Sequence, residues 1–158
     1  MTATYQAPNV TTFGYIPPGS GHGEASVTQH LHAKVYCSAA LGANDVLQFG
    51  YLPPNAVVIG AILKADTQLD SNGSPTLTFD LGVTGTAQLF KAAVTTVGRA
   101  AGASADTTLA GAGALYKNAT GAKIMVIGTA HASAATGAAG SVEADIAYFV
   151  EDTAGSQS

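Results

Sequence analysis

The sequence predicts an all-β protein: a β-sandwich, jelly-roll-like in arrangement, with one short helix and an extended N-terminal arm. Three observations support this prediction. Several short segments alternate apolar and polar residues with the period of a strand. Turn-forming clusters of Gly, Pro, Asn and Asp separate these segments. Long helical repeats of the kind that connect parallel strands are missing from the 158 residues.

The first 29 residues predict an extended arm. Prolines and glycines interrupt this segment at Pro8, Pro17–Gly19 and Gly21–Gly23, and no strand or helix period survives between them. The segment still carries an apolar load that is unusual for a solvated tail. One interpretation is that the arm folds back as an edge strand of its own sandwich. We expect instead that the arm attaches to a neighbouring subunit or to the surface of a larger assembly. The residues expected to make this contact are Tyr5, Val10, Phe13, Tyr15 and Ile16.

Residues 30–151 form the predicted sandwich domain, and its first strand begins at His30. A second extended segment, residues 45–51, ends at a pair of prolines. Residues 56–63, including Ile59, are apolar on both faces and rich in β-branched side chains, which predicts a central strand covered on each side. In the first strand, polar residues alternate with an inward series formed by Leu31, Ala33, Val35 and Cys37.

The middle of the domain predicts a hairpin and then a helix. Residues 70–75 form a turn, and residues 76–83 alternate as a strand with one core face. Between Thr86 and Val97 the apolar period becomes helical, and Gly98 stands where a helix C-cap is expected. The predicted short helix has an apolar stripe formed by Leu89, Phe90, Ala93, Val94 and Val97.

Two further strands complete the predicted domain. Residues 123–130 contain a run of four apolar residues that predicts a strand buried on both faces, including Ile127. In the final strand, residues 142–150, apolar positions alternate with Glu143 and Asp145, which are predicted to face solvent. Residues 152–158 are polar and are expected to form a flexible C-terminal tail.

Charge and composition exclude several classes of function. Only 10% of residues are charged, against roughly 25% in typical domains, and the formal net charge is −4. No basic stripe is present that could neutralise phosphates, so no nucleic-acid partner is expected. No apolar stretch approaches the ~18 residues of a membrane span, so no membrane partner is expected. A surface so poor in charge suits close packing against other proteins, and we expect a subunit of an assembly.

The sequence offers no catalytic constellation. His30 and His32 lie on the same side of one strand, but a tetrahedral metal site needs further ligands. Asp66, Asp70 and Asp80 are better explained by hairpin turns than by a cation site. Cys37 belongs to an inward series and is expected to be buried and inert. We therefore predict no enzyme activity, no cofactor and no metal.

Several segments resemble the small virion structural proteins of tailed bacteriophages, in particular capsid decoration (cement) proteins. The likeness covers roughly residues 50–150, and it lies in pattern and composition. It implies a β-sandwich that binds the outside of an icosahedral shell as an oligomer, and the family has no catalytic residues to carry over. The segments that carry it are residues 52–60, 70–83, 120–127 and 138–150.

The resemblance gives the predicted function: a structural protein that binds the outer surface of a phage capsid and stabilises contacts between capsid subunits. Its expected partners are the major capsid protein and further copies of itself, a trimer being favoured over a dimer. The expected location is the capsid exterior, after synthesis in the host cytoplasm. The alternative is a jelly-roll module that binds a carbohydrate or host receptor, with tyrosines to stack on sugar rings: Tyr5, Tyr15, Tyr51 and Tyr116.

Overall fold

The computed structural model describes residues 28–151 and the backbone of a short N-terminal strand. Within these residues there are nine strands and no helix, so no membrane-spanning helix is found among them. The all-β prediction is confirmed. The strands are β1 (Thr4–Gln6), β2 (Gln29–Cys37), β3 (Val46–Leu52), β4 (Ala56–Ala65), β5 (Thr78–Val83), β6 (Thr86–Val94), β7 (Ser104–Asp106), β8 (Ile124–Ala132) and β9 (Gly140–Val150).

The strands form two sheets, consistent with the predicted β-sandwich. The order is β1-β3-β8-β5-β6 in the five-stranded sheet and β2-β9-β4-β7 in the four-stranded sheet. β1 is parallel to β3, and the other paired strands are antiparallel. From β2 to β9 the chain changes sheet at every step except between β5 and β6, which form a hairpin.

One apolar core lies between the sheets, and both of them contribute to it. β2 supplies Ala33, Val35 and Cys37, as its alternation predicts, while the polar residues between them face outward. The same holds for β9, in which Val142, Ala144 and Ile146 are buried and the intervening carboxylates are not. The largest fully buried side chains are Phe49, Phe79, Phe90, Leu47 and Leu52.

The predicted helix at residues 86–97 is wrong, because this segment contains β6. Its pairing with β5 shifts register twice, so the apolar residues do not alternate simply along the strand. Ala93 lies in the left-handed region with φ of 47°, and its backbone N–H donates to Asp80 at 2.7 Å. Such irregularities reproduce helical spacing in a strand, since each extra residue moves the next side chain to the other face.

The prediction that Ile59 and Ile127 are buried is also wrong. The pairing of β4 with β9 shifts between Val58 and Gly60, so that Ile59 is the extra residue and its side chain is 43% exposed. Ile127 is half-buried because β8 turns its alternate residues, such as Val126, toward the core. An apolar run was therefore insufficient evidence for a strand covered on both faces.

Candidate interaction face

The predicted attachment residues lie mainly outside the described part of the chain. Tyr5 is in β1, whose backbone pairs with β3 beside Leu47 of the same chain. This pairing is the edge-strand arrangement that the sequence left open for the arm. The other four predicted residues fall outside the described residues: Val10, Phe13, Tyr15 and Ile16.

The outer face of the four-stranded sheet gathers charges that are far apart in the sequence. Cross-strand register places His32 beside Asp145, and Lys34 and Lys64 on either side of Glu143. Together they include five of the protein's sixteen Lys, Arg, Asp and Glu residues and two of its four histidines. We call this set the charged face: His30, His32, Lys34, Lys64, Asp66, Glu143 and Asp145.

The lysines and carboxylates of the charged face form a closed network of ion pairs. Lys34 Nζ pairs with Asp66 and lies 3.0 Å from Glu143. Lys64 Nζ lies 2.9 Å from Asp66 and 3.4 Å from Glu143. Hydrogen bonds from the two lysines hold the pKa of Asp66 well below its ordinary value, and the same contacts raise the pKa of both lysines. The network therefore satisfies its own charges and needs no partner to neutralise them.

The two histidines lie on one side of β2, as predicted, and both approach Asp145. His30 Nδ1 is 2.7 Å and His32 Nδ1 is 3.5 Å from its carboxylate oxygens. His32, Asp145 and Ile62 line a depression of about 180 Å³. Among residues 28–151, no group of three or more His, Cys, Asp or Glu side chains has the arrangement of a metal site.

Apolar side chains are exposed on β4 and in the loop beside it. Ile59 and Ile62 are 43% and 41% exposed, and Leu115, in the loop beside β4, is 69% exposed. The loop is fixed to the strand, since Leu115 N–H donates to the Val58 carbonyl at 3.0 Å. We call these three residues the β4 patch: Ile59, Ile62 and Leu115.

Buried Asn118 fastens the loop that carries Leu115. Its side-chain amide donates to the carbonyls of Pro53 at 2.9 Å and Ala122 at 2.8 Å, and its side-chain oxygen accepts from Thr120. Its backbone N–H also donates to the Ala56 carbonyl at 2.8 Å. Because both backbone and side chain are engaged, the loop has a fixed position against β4.

The cysteine and the three aspartates considered as candidate site residues have structural roles. Cys37 is fully buried, as predicted, and burial raises the pKa of its thiol to about 11, so it is a poor nucleophile. Asp70 and Asp80 are buried and accept backbone N–H groups, whereas Asp66 belongs to the charged face. These three carboxylates do not form a common site.

Two tyrosines of the receptor-binding alternative fall in the described region. Tyr51 is half-buried, and Lys123 Nζ lies over its ring at 4.3 Å from the centroid. Tyr116 packs edge-on against Phe90, with ring centroids 5.9 Å apart, and burial raises its pKa. Both rings already have partners within the chain, which leaves less of their surface for stacking on a sugar.

Solved structures of phage capsids contain chains that resemble this one over nearly its whole length. The match to a chain of the cyanophage Pam1 capsid asymmetric unit has 27% identity and a TM-score of 0.66, and it covers 91% of this chain and 98% of that one. The match to a chain of the capsid of Ralstonia phage GP4 has 28% identity and a TM-score of 0.68, covering 96% and 99%. No protein-family model and no curated protein sequence matches. The predicted resemblance to phage virion structural proteins is confirmed.

Proposed function

We propose that the protein is a structural component of a phage virion that binds the outer surface of the capsid and stabilises contacts between capsid subunits. The observation that carries this proposal is the similarity to chains of two phage capsids, which extends over almost the full length of this chain and of each matched chain. Those chains are therefore about as long as this one and consist of the same domain. Such a role is mechanical and requires no catalytic group.

The surface chemistry supports a role in an assembly. The chain has few charges, and four of its sixteen Lys, Arg, Asp and Glu residues neutralise one another on the charged face. The chain is otherwise rich in small neutral residues, which cost less to desolvate than charged residues when another protein packs against them. We propose that the partners are the major capsid protein and further copies of this chain, with a trimer favoured over a dimer. Repetition by symmetry adds many modest contacts into a strong attachment.

The strand order supports the proposed jelly-roll fold. A jelly roll has eight strands arranged as two four-stranded sheets, with the chain crossing between them. β2 to β9 are eight strands, and they divide into β3-β8-β5-β6 and β2-β9-β4-β7, with β1 added at one edge. The outer face of the four-stranded sheet, where β2 and β9 turn polar residues outward, is accessible to a neighbouring protein.

Addition of the purified protein to cognate capsids that lack it is expected to raise their resistance to heat. A protein that binds only the intact shell stabilises it by about 2.7 kcal/mol per site at a concentration ~100-fold above Kd. Co-sedimentation measures binding, calorimetry measures the disruption temperature, and electron microscopy locates the added density. Lack of binding, or binding without a rise in that temperature, would contradict the proposal. Binding to a glycan array but not to capsids would favour the receptor-binding alternative.

We further propose that the arm, residues 1–29, is an attachment element. Its apolar residues have no period that would bury them against their own domain. Its prolines restrict the unbound chain and so reduce the entropy lost when it becomes ordered. The pairing of Thr4–Gln6 with β3 concerns only three residues, and it is compatible with a second role for the remainder of the arm.

Deletion of residues 1–16 is expected to weaken capsid binding by at least about tenfold, which equals ~1.4 kcal/mol, and to change thermal unfolding little. A matched full-length variant replaces Val10, Phe13, Tyr15 and Ile16 with serine and so keeps the β1 segment. It should bind as weakly as the truncated chain. If both variants bind like the wild type, the attachment role is wrong. If the truncated chain fails to fold while the serine variant folds and binds normally, the arm serves its own sandwich as an edge strand.

A further inference from the structure

The β4 patch contains most of the large apolar side chains that are exposed in the described part of the chain. Four large apolar side chains are exposed in the described part of the chain, and three of them are Ile59, Ile62 and Leu115. The fourth, Tyr36, is on the edge strand β2, and β9 separates it from β4. Single exposed apolar residues are common on protein surfaces, but neighbouring ones indicate a contact site.

Leu115 combines exposure with backbone strain. Its φ is 57°, in the left-handed region where a side chain with a Cβ is disfavoured, and its side chain contributes little to the core. Hydrogen bonds on both sides hold it there: its own N–H binds Val58, and the Tyr116 carbonyl accepts from Val58 N–H at 2.9 Å. Leu115 is not among the apolar residues that form the core or pack against it. A strained residue held rigidly at the surface suggests a role in binding.

The charges beside the patch indicate what kind of partner fits. Lys64 is engaged by Asp66 and Glu143, and Asp145 is engaged by His30 and His32. A partner that covers the patch therefore meets charged groups that already have partners within the chain, and it needs an apolar surface rather than a charged one.

The size of the patch indicates whether a second copy of this chain or a capsid subunit covers it. A stable pair of isolated proteins buries roughly 800 Å² on each partner, which is more than three partly exposed side chains can supply. The patch alone would therefore not hold two copies together in solution. It is suited to one contact among several, as in attachment to a shell.

We propose that the β4 patch docks into an apolar pocket on the outer surface of a capsid subunit, with Leu115 as the anchor. This inference rests on the proposed function, and it adds a contact on the folded domain that is separate from the arm. The backbone of Leu115 is already held by hydrogen bonds to Val58, so little backbone entropy is lost on docking. Ile59 and Ile62 cover the rim and exclude water from the anchor.

The test compares three variants of the full chain with the wild type. Leu115→Asn and Leu115→Gly are expected to reduce affinity for cognate capsids at least tenfold in co-sedimentation. Their thermal unfolding should be unchanged or occur at a higher temperature, because Asn and Gly tolerate a positive φ. Tyr36→Asn is the matched control: it removes an equally exposed apolar ring away from the patch, and it should bind like the wild type.

Each other outcome overturns the inference in a recognisable way. Wild-type affinity in both Leu115 variants would show that Leu115 is not an anchor for capsid binding. An equal loss in Tyr36→Asn would show that apolar surface acts without a specific pocket. A smaller oligomer of Leu115→Asn in light scattering would assign the patch to contacts between copies of this chain. Failure of the wild type itself to bind capsids would refute the proposed function, and this inference with it.

Discussion

Replacement of Asp70 by asparagine is expected to lower the free energy of unfolding by about 2–4 kcal/mol at pH 7, because a buried donor left unsatisfied costs ~1–3 kcal/mol. The Asp70 side chain is fully buried, and its two oxygens accept five backbone N–H groups. An amide keeps one acceptor oxygen and turns an NH₂ group toward the remaining donors. The donors are the N–H groups of Asn72, Thr76, Leu77, Ala135 and Thr136, at 2.8–3.3 Å.

The stabilisation that the Asp70 carboxylate provides depends on pH. Burial opposes the charged form of Asp70, but the backbone N–H groups outweigh burial and hold its pKa well below the ordinary value. The unfolded chain, with a pKa of about 3.9, then binds the proton more readily than the folded chain. The stabilisation is fully present above that value and is lost as the pH falls through the lower folded pKa. The difference in free energy of unfolding between the wild type and Asp70→Asn should therefore become smaller as the pH falls from 5 toward 2.

Chemical denaturation of both proteins across this pH range measures the effect. Asp66→Asn is the control, since the pKa of Asp66 is lowered by exposed lysines and not by buried backbone groups. Salt should reduce the effect of Asp66→Asn and leave that of Asp70→Asn almost unchanged. A loss at Asp70 no larger than that at Asp66, or one that does not vary with pH, would show that its N–H contacts contribute little.

Replacement of Lys91 by methionine is expected to destabilise the protein by about 3–5 kcal/mol, since it leaves a largely buried carboxylate without its counter-charge. The Lys91 side chain is 1% exposed and its Nζ lies 2.8 Å from Asp106, which is 15% exposed. Lys91 is on β6 and Asp106 on β7, so the pair connects the edges of the two sheets. Lys91 Nζ also donates to the Thr108 carbonyl.

The control is the same substitution at an exposed ion pair. Lys117 Nζ lies 2.6 Å from Glu151, with the side chains 39% and 46% exposed, and Lys117→Met should cost no more than about 1 kcal/mol. The double variant Lys91→Met with Asp106→Asn should recover part of the loss, because no buried charge then remains unpaired. Similar losses in Lys91→Met and Lys117→Met, measured by thermal denaturation, would contradict the prediction.

Alternation along single strands predicted much of the fold. The inward series of β2 and the outward carboxylates of β9 are confirmed, because each strand pairs without a register shift along that stretch. Where the pairing shifts, the prediction is wrong. The apolar spacing of β6 predicts a helix, and the apolar run of β4 predicts that Ile59 is buried, although Ile59 is the extra residue of an irregular pairing. A bulge depends on the partner strand, so it leaves no reliable pattern in the strand that carries it.

The candidate site was less predictable than the fold. Glu143 and Asp145 were correctly placed on an outer face, but the lysines that neutralise Glu143 come from β2 and β4. Their meeting depends on the register between strands far apart in the chain, which alternation within one strand does not encode. The exposure of Leu115 had one available signal, the glycine-rich loop around it, which indicates a turn but not which side chain it presents.

The position of β9 constrains when this protein can fold. β9 is the last described strand in the sequence, yet it lies in the interior of its sheet, between β2 and β4. During synthesis, β2 and β4 have no partner in common until residues 140–150 have left the ribosome. β2 and β4, which have apolar inner faces, must therefore wait with an unpaired edge until β9 has been made, a situation that slows folding and invites aggregation. A stop codon before residue 140 would accordingly leave insoluble chains, and the emergence of residues 140–150 would be the event that starts assembly of this sheet.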